Sequence, residues 1–124
     1  MFARTLALAF AVSIGAAAAA SPQAAQQTIE LRSYAYSPKP IHLAAGRPVT
    51  LTFVNRSGSS HDFTARAFFA NSRILAGSAP RGEVELRGGE SKSITLVPQR
   101  GTYKVHCSHF MHKQFGMTAT IVVG

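Results

Sequence analysis

The sequence predicts an all-β domain, a Greek-key β-sandwich with one short helix. Three observations point there: short segments of alternating polar and apolar residues, Gly and Pro between them, and a single interruption with helical spacing. Thr28-Ile29-Glu30-Leu31-Arg32 is the first alternating segment. Val49 to Val54 follows the turn Gly46-Arg47-Pro48, and Glu83 to Leu86 and Ser93 to Val97 flank Gly88-Gly89. Thr102 to His106 and Thr118 to Val123 complete the set. A period of two sends successive side chains to opposite faces, so each segment has an inner and an outer row. Ala65 to Leu75 breaks the pattern: Phe68, Phe69 and Leu75 suit a short amphipathic helix, with Thr64 as N-cap and Gly77 beyond its end. The same phenylalanines would also serve a packed loop crossing one side of the sandwich.

With 124 residues the chain has room for one small domain, and its beginning reads as an export address. Arg4 precedes a stretch, Leu6 to Ala20, that is apolar or small throughout, and Ala18-Ala19-Ala20 before Ser21-Pro22 has the form of a cleavage site. Residues 1–20 are expected to be a Sec-type signal peptide, 21–27 an N-terminal tether, and 28–124 the folded domain. A second possible cut lies at Ala24-Ala25. The apolar stretch is shorter than the roughly 20 residues that span a bilayer, so no transmembrane anchor is expected. There is no Cys at the cleavage region to take a lipid, and the expected destination is the periplasm or the cell exterior.

The chain carries 13 Lys and Arg against 5 Asp and Glu; without Arg4, 12 remain, a net charge of +7. The basic residues are scattered singly, with no Arg-rich helix or aromatic-interleaved basic run, which argues against nucleic acid as a partner. Such a charge keeps a small domain soluble and attracts acidic partners. A monomer is expected. Cys107 is the only cysteine, whereas exported proteins usually pair theirs. A dimer disulfide, a buried inert thiol and a metal-held thiolate are the three explanations open to it.

The segment Gly101 to Val123 bears on that choice. It places Cys107, His109, Met111, His112 and Met117 between two strand segments, so one loop at the end of a sheet offers a thiolate, imidazoles and thioethers. These are the soft and borderline donors that copper prefers. Zinc more often takes a second Cys or a third His, and no Met.

The motif Cys-x4-His-x4-Met, here Cys107, His112 and Met117 with Gly116 before the Met and a strand after it, resembles the C-terminal loop of cupredoxins such as plastocyanins, pseudoazurins and azurins. Asn55 to Phe63 is similar to the family segment that supplies a His after a strand ending in Asn, and the resemblance runs from Thr28 to Gly124. It implies a cupredoxin-like sandwich and a type 1 site for one copper ion, Cu(I)/Cu(II), held by His61, His112, the Cys107 thiolate and a weak axial Met117. Two local departures from the family pattern stand out: Ser60 before His61, and Phe110-Met111 before His112 where Pro-Gly is frequent. His106, preceding Cys107 in a strand, is expected on the opposite face. His109, two positions from Cys107, is too close in the chain to share a trigonal metal with it. His42 and Met111 are expected to be packing or surface residues.

The resemblance implies a one-electron carrier rather than an enzyme, with a redox partner protein, acidic in character, such as a cytochrome or a copper enzyme. Phe110, Met111 and Phe115 around His112 would form an apolar docking patch, or be buried under the loop. A rival reading is a periplasmic copper carrier or resistance protein that hands over Cu(I), to which His106, His109 and Met111 lend support. Enzymatic copper chemistry is the weakest reading, because four protein donors on one ion leave little room for substrate.

Overall fold

The structure, a computed structural model, describes residues 1–3, 5–15 and 23–124. Arg4 and the expected cleavage pattern from Ala18 to Pro22 lie outside the described residues. In chain order the strands are β1 (Ala25–Arg32), β2 (Ala35–Ser37), β3 (Ile41–Leu43), β4 (Val49–Asn55), β5 (His61–Thr64), β6 (Arg73–Ala76), β7 (Glu83–Leu86), β8 (Ser91–Val97), β9 (Gly101–His106) and β10 (Thr118–Val123). A helix, α1 (Arg66–Ala70), falls between β5 and β6. Two five-stranded sheets result, ordered β2-β1-β4-β8-β6 and β3-β10-β9-β5-β7. β1 runs parallel to β4 and β3 parallel to β10, while the other pairs are antiparallel. This is the all-β sandwich that the alternation predicts.

The alternating residues supply the filling. Ile29 and Leu31 of β1, Leu51 and Phe53 of β4, and Ile94 and Leu96 of β8 are buried on one sheet. Val84 and Leu86 of β7, Val105 of β9, and Ala119, Ile121 and Val123 of β10 are buried on the other. Phe63 links the layers: its ring lies 4.8 Å from Phe53, 5.5 Å from Tyr36 and 6.2 Å from Phe69, centroid to centroid. Each Val, Leu, Ile or Phe among them contributes about 1.5–3 kcal/mol by leaving water.

Local boundaries differ from expectation in three places, each for a tertiary reason. β1 begins at Ala25 rather than Thr28, so the last residues of the expected tether belong to a strand. Ala25 to Leu31 pair in register with Val49 to Asn55, and the Ala25 N–H donates to the Pro48 carbonyl at 3.1 Å. The backbone of a neighbouring strand recruits residues whose side chains carry no alternation. The helix is shorter than Ala65 to Leu75. Thr64 cannot cap it, because its backbone is committed to β5 opposite Glu83 and His106, and Ala65 occupies the capping position without a side-chain bond. At the other end Asn71 Nδ2 donates to the Ala67 carbonyl and Ser72 Oγ to that of Phe68, ending the turn, and Leu75 lies in β6. The third difference is β2, β3 and β5, three to four residues each, too short to register as periodic segments.

Phe53 is fully buried and faces Phe63, so Phe53→Ala is expected to lower unfolding free energy by about 3–5 kcal/mol. Urea denaturation followed by circular dichroism measures this; a loss under about 1 kcal/mol would mean that the two sheets do not meet there.

Candidate metal centre

β5 and β9 bring the two halves of the site together. Asn55, buried at the end of β4, shapes the connection into β5: its Nδ2 donates to the carbonyls of Ser59 at 2.8 Å and Arg87 at 3.0 Å, and its Oδ1 accepts from the Ser57 N–H at 3.0 Å. His61 then starts β5 with its ring sealed from solvent. β9 ends at His106, and Cys107 follows it into the interior at 1% exposure. The loop from Ser108 to Gly116 is a succession of turns that closes on itself. The N–H of Met117 donates to His112 O at 3.0 Å, and the Cys107 N–H to Met117 O at 3.1 Å. Gly116 makes the last turn with φ +91, a backbone conformation that L side chains rarely adopt.

His61 Nδ1 lies 3.1 Å from His112 Nδ1, and the Cys107 Sγ lies 3.4 Å from His112 Nδ1 and 4.0 Å from His61 Nδ1. Bonds of about 2.0–2.3 Å to one central ion at trigonal angles would set neighbouring donors about 3.5–3.7 Å apart, and the observed triangle brackets that spacing. Met117 is fully buried and joined by backbone bonds to both His112 and Cys107. A single thiolate, two imidazole nitrogens and a neighbouring thioether make a set suited to copper.

Other side chains orient this triangle. His61 Nε2 is 2.8 Å from Ser33 Oγ, which leaves Nδ1 for the centre. Tyr34 packs its ring 4.9 Å from His112 and 5.0 Å from Phe115. Asp62, fully buried, accepts from the Ser108 N–H at 2.9 Å, from the Ser108 hydroxyl, and from Thr64 Oγ1 at 2.7 Å. Its own N–H donates to Cys107 Sγ at 3.4 Å. The tie between the two segments is thus Asp62 to Ser108. Tyr36 donates its hydroxyl to the Asp62 carbonyl at 2.5 Å, and burial, with Cys107 and Asp62 adding, pushes its phenol far above the usual range.

Burial raises the Cys107 thiol above its ordinary value, opposed by backbone N–H bonds from Asp62 and His109. Burial also lowers His61, with His112 and His109 contributing, which favours its neutral imidazole. A cation bound between them would draw out the thiolate against that burial cost.

Residues 4–123 match the family described as the cupredoxin-like domain. The chain belongs to the cupredoxin-like family. No curated protein matches it in sequence. Among solved structures, this cupredoxin is similar to a dithionite-reduced auracyanin from Roseiflexus castenholzii. The two share 22% identity over 83% of this chain and 99% of that one, with a TM-score of 0.61. Auracyanin A, described as a blue copper protein from Chloroflexus aurantiacus, shares 21% identity over 80% and 99% at a TM-score of 0.56. A multicopper oxidase from Campylobacter jejuni shares the fold at 12% identity and a TM-score of 0.64, over 86% of this chain and 31% of the oxidase. At these identities the likeness is one of fold. The family and the donor set of this cupredoxin together fit one copper ion.

The remaining candidates separate cleanly. His109 Nε2 donates to the Glu85 carboxylate at 2.8 Å and stacks on His112 at 19° between ring planes. His106 is half-buried in β9, between the buried Val105 and Cys107. His42 is exposed in β3. Phe110, Met111 and Phe115 expose 90%, 38% and 58% of their surface, so they are not buried under the loop. Sequence reasoning missed Asp62, Ser33 and Tyr34. Asp62 had one legible sign, a carboxylate wedged between His61 and Phe63. The contacts of Ser33 and Tyr34 with His61 and His112 bridge distant parts of the chain and leave no local mark.

Ser108→Ala removes a hydroxyl bond to a buried carboxylate and is expected to cost about 1.5–3 kcal/mol of stability. Chemical denaturation of the metal-free protein measures it; no change would place the tie between β5 and the loop elsewhere.

Proposed function

We propose that this cupredoxin is a one-electron carrier, in which His61 and His112 through Nδ1, the Cys107 thiolate and the Met117 thioether would hold copper. The observation that carries the reading is the convergence of His61 Nδ1, His112 Nδ1 and Cys107 Sγ at one end of a β-sandwich. Copper there supplies reversible one-electron chemistry between Cu(I) and Cu(II). The protein's part is to hold sulfur and nitrogen donors where neither oxidation state requires much rearrangement. Ser33 orients the His61 ring, Asp62 and Ser108 lock the thiol loop to β5, and full burial of His61 keeps water from the centre. Half-buried His112, beside exposed Phe110, Met111 and Phe115, is the group through which an electron would leave.

Copper delivery is the less favoured reading, since His109 is engaged with Glu85 and groups with Asp62 and Glu85 rather than with the His61 triangle. Substrate chemistry is disfavoured because four protein donors would enclose the ion. Export to the periplasm or beyond fits the apolar start of the chain. Leu6, Leu8, Phe10, Val12 and Ile14 expose 76% to 89% of their surface and pack against nothing in the sandwich. Among the described residues no helix is long and apolar enough to cross a membrane.

Cu(II) added to the purified protein is expected to produce an intense visible thiolate-to-copper band and a narrow copper hyperfine pattern in electron paramagnetic resonance. Cys107→Ser should abolish the band and His109→Ala should keep it; a band that survives the first or vanishes in the second overturns the ligand set. A carrier of electrons should also retain Cu(I) against a competing chelator after reduction. Because burial holds the Cys107 thiol toward its protonated form, its conversion to thiolate on copper uptake should release a proton, and affinity should rise with pH. Titration in weakly buffered solution with a pH indicator reads that proton; pH-independent uptake would exclude the thiolate.

A further inference from the structure

β6 closes one end of its sheet and is hydrogen-bonded to β8 alone. All four of its residues are exposed, among them Ile74 at 38% and Leu75 at 49%. An exposed apolar edge strand offers a row of free backbone donors and acceptors that another strand can read. Beside it lies a groove of 460 Å³ lined by Phe69, Ala70, Ile74 and Ala79 and flanked by Arg66 and Arg81. That volume takes a bulky side chain or two. Arg81 adopts φ 56, a left-handed conformation rare for a residue with a Cβ. Arg66, Arg73 and Arg81 are all exposed, and among the described residues the ion pairs made by acidic side chains go to Arg32, Arg56, Lys92 and His109 instead.

We propose that β6 and the adjoining groove form a docking surface for an acidic, extended segment of a partner protein. The partner's backbone adds to β6 as a further strand, an apolar side chain seats against Phe69 and Ile74, and carboxylates pair with Arg66, Arg73 and Arg81. Free edge hydrogen bonds, an apolar groove and three exposed arginines, none of them in an ion pair among the described residues, each select one part of that ligand. An anionic lipid surface would answer the arginines but leave the strand edge unread. The surface shares no residue with the metal centre, so the inference stands or falls independently of the copper reading.

The test uses a fluorescein-labelled synthetic peptide of alternating glutamate and valine, and a twin N-methylated at every second residue that keeps the side chains but cannot pair along an edge. Fluorescence anisotropy at low salt is expected to show binding of the first peptide. Binding should weaken about tenfold or more for the twin and for the protein carrying Arg66→Glu, Arg73→Glu and Arg81→Glu. Amide shifts in nuclear magnetic resonance should fall within residues 66–82. No binding, equal binding of the twin, unchanged binding by the variant, or shifts centred on residues 107–117 overturns the proposal. So does tighter binding to phosphatidylglycerol vesicles than to the peptide. If circular dichroism shows the triple variant unfolded, Arg73→Glu alone carries the comparison.

Discussion

Asp62 sits in β5 with no exposed surface, its carboxylate engaged by Ser108 and Thr64 and its N–H aimed at Cys107 Sγ. A buried carboxylate is costly unless its oxygens are satisfied, and here satisfying them requires β5 and the loop after β9 to meet in one register. The same register places His61 Nδ1 within 4.0 Å of the thiol. The register that satisfies the Asp62 carboxylate is therefore also the one that gathers the candidate donors. The carboxylate that needs the loop and the thiol that needs the imidazole are adjacent parts of the same clasp.

The clasp works because the sheets around it are packed on both sides. Phe63, next in β5, is wedged among Phe53, Tyr36 and Phe69, and Tyr36 reaches back to the Asp62 carbonyl. Interiors packed to this density resist displacement of any one side chain, so the donors keep their spacing without being held by loop residues alone. The loop from Ser108 to Gly116 is itself anchored to the sheet, by Ser108 on Asp62 and His109 on Glu85. That arrangement fits the proposed one-electron carrier, whose donors would keep the same geometry in both charge states.

Polarity is distributed unevenly over the rest of the surface. The apolar side chains Phe110, Met111 and Phe115 stand around His112, while the exposed arginines Arg66, Arg73 and Arg81 flank a different edge. The proposed apolar contact beside His112 and the proposed charged contact at β6 would thus lie on separate parts of the surface.

The sandwich class and the strands β4, β7, β8, β9 and β10 are legible in the order of residues, because a half-buried strand writes its inner face as alternation. The grouping of Cys107, His112 and Met117 is legible too, since one loop holds all three within a short span of chain. Partnerships that cross the chain are not. The three Ala25–Gln27 residues become strand only because β4 lies beside them, and the helix stops at Ala70 because Asn71 and Ser72 turn back on it. Ser33 finds His61, Tyr34 finds His112, and Asp62 finds Ser108 across spans that no local pattern records. Periodicity reports what a residue needs from its immediate neighbours and from water. Which distant group meets that need is decided by sheet pairing, and only the folded backbone specifies it.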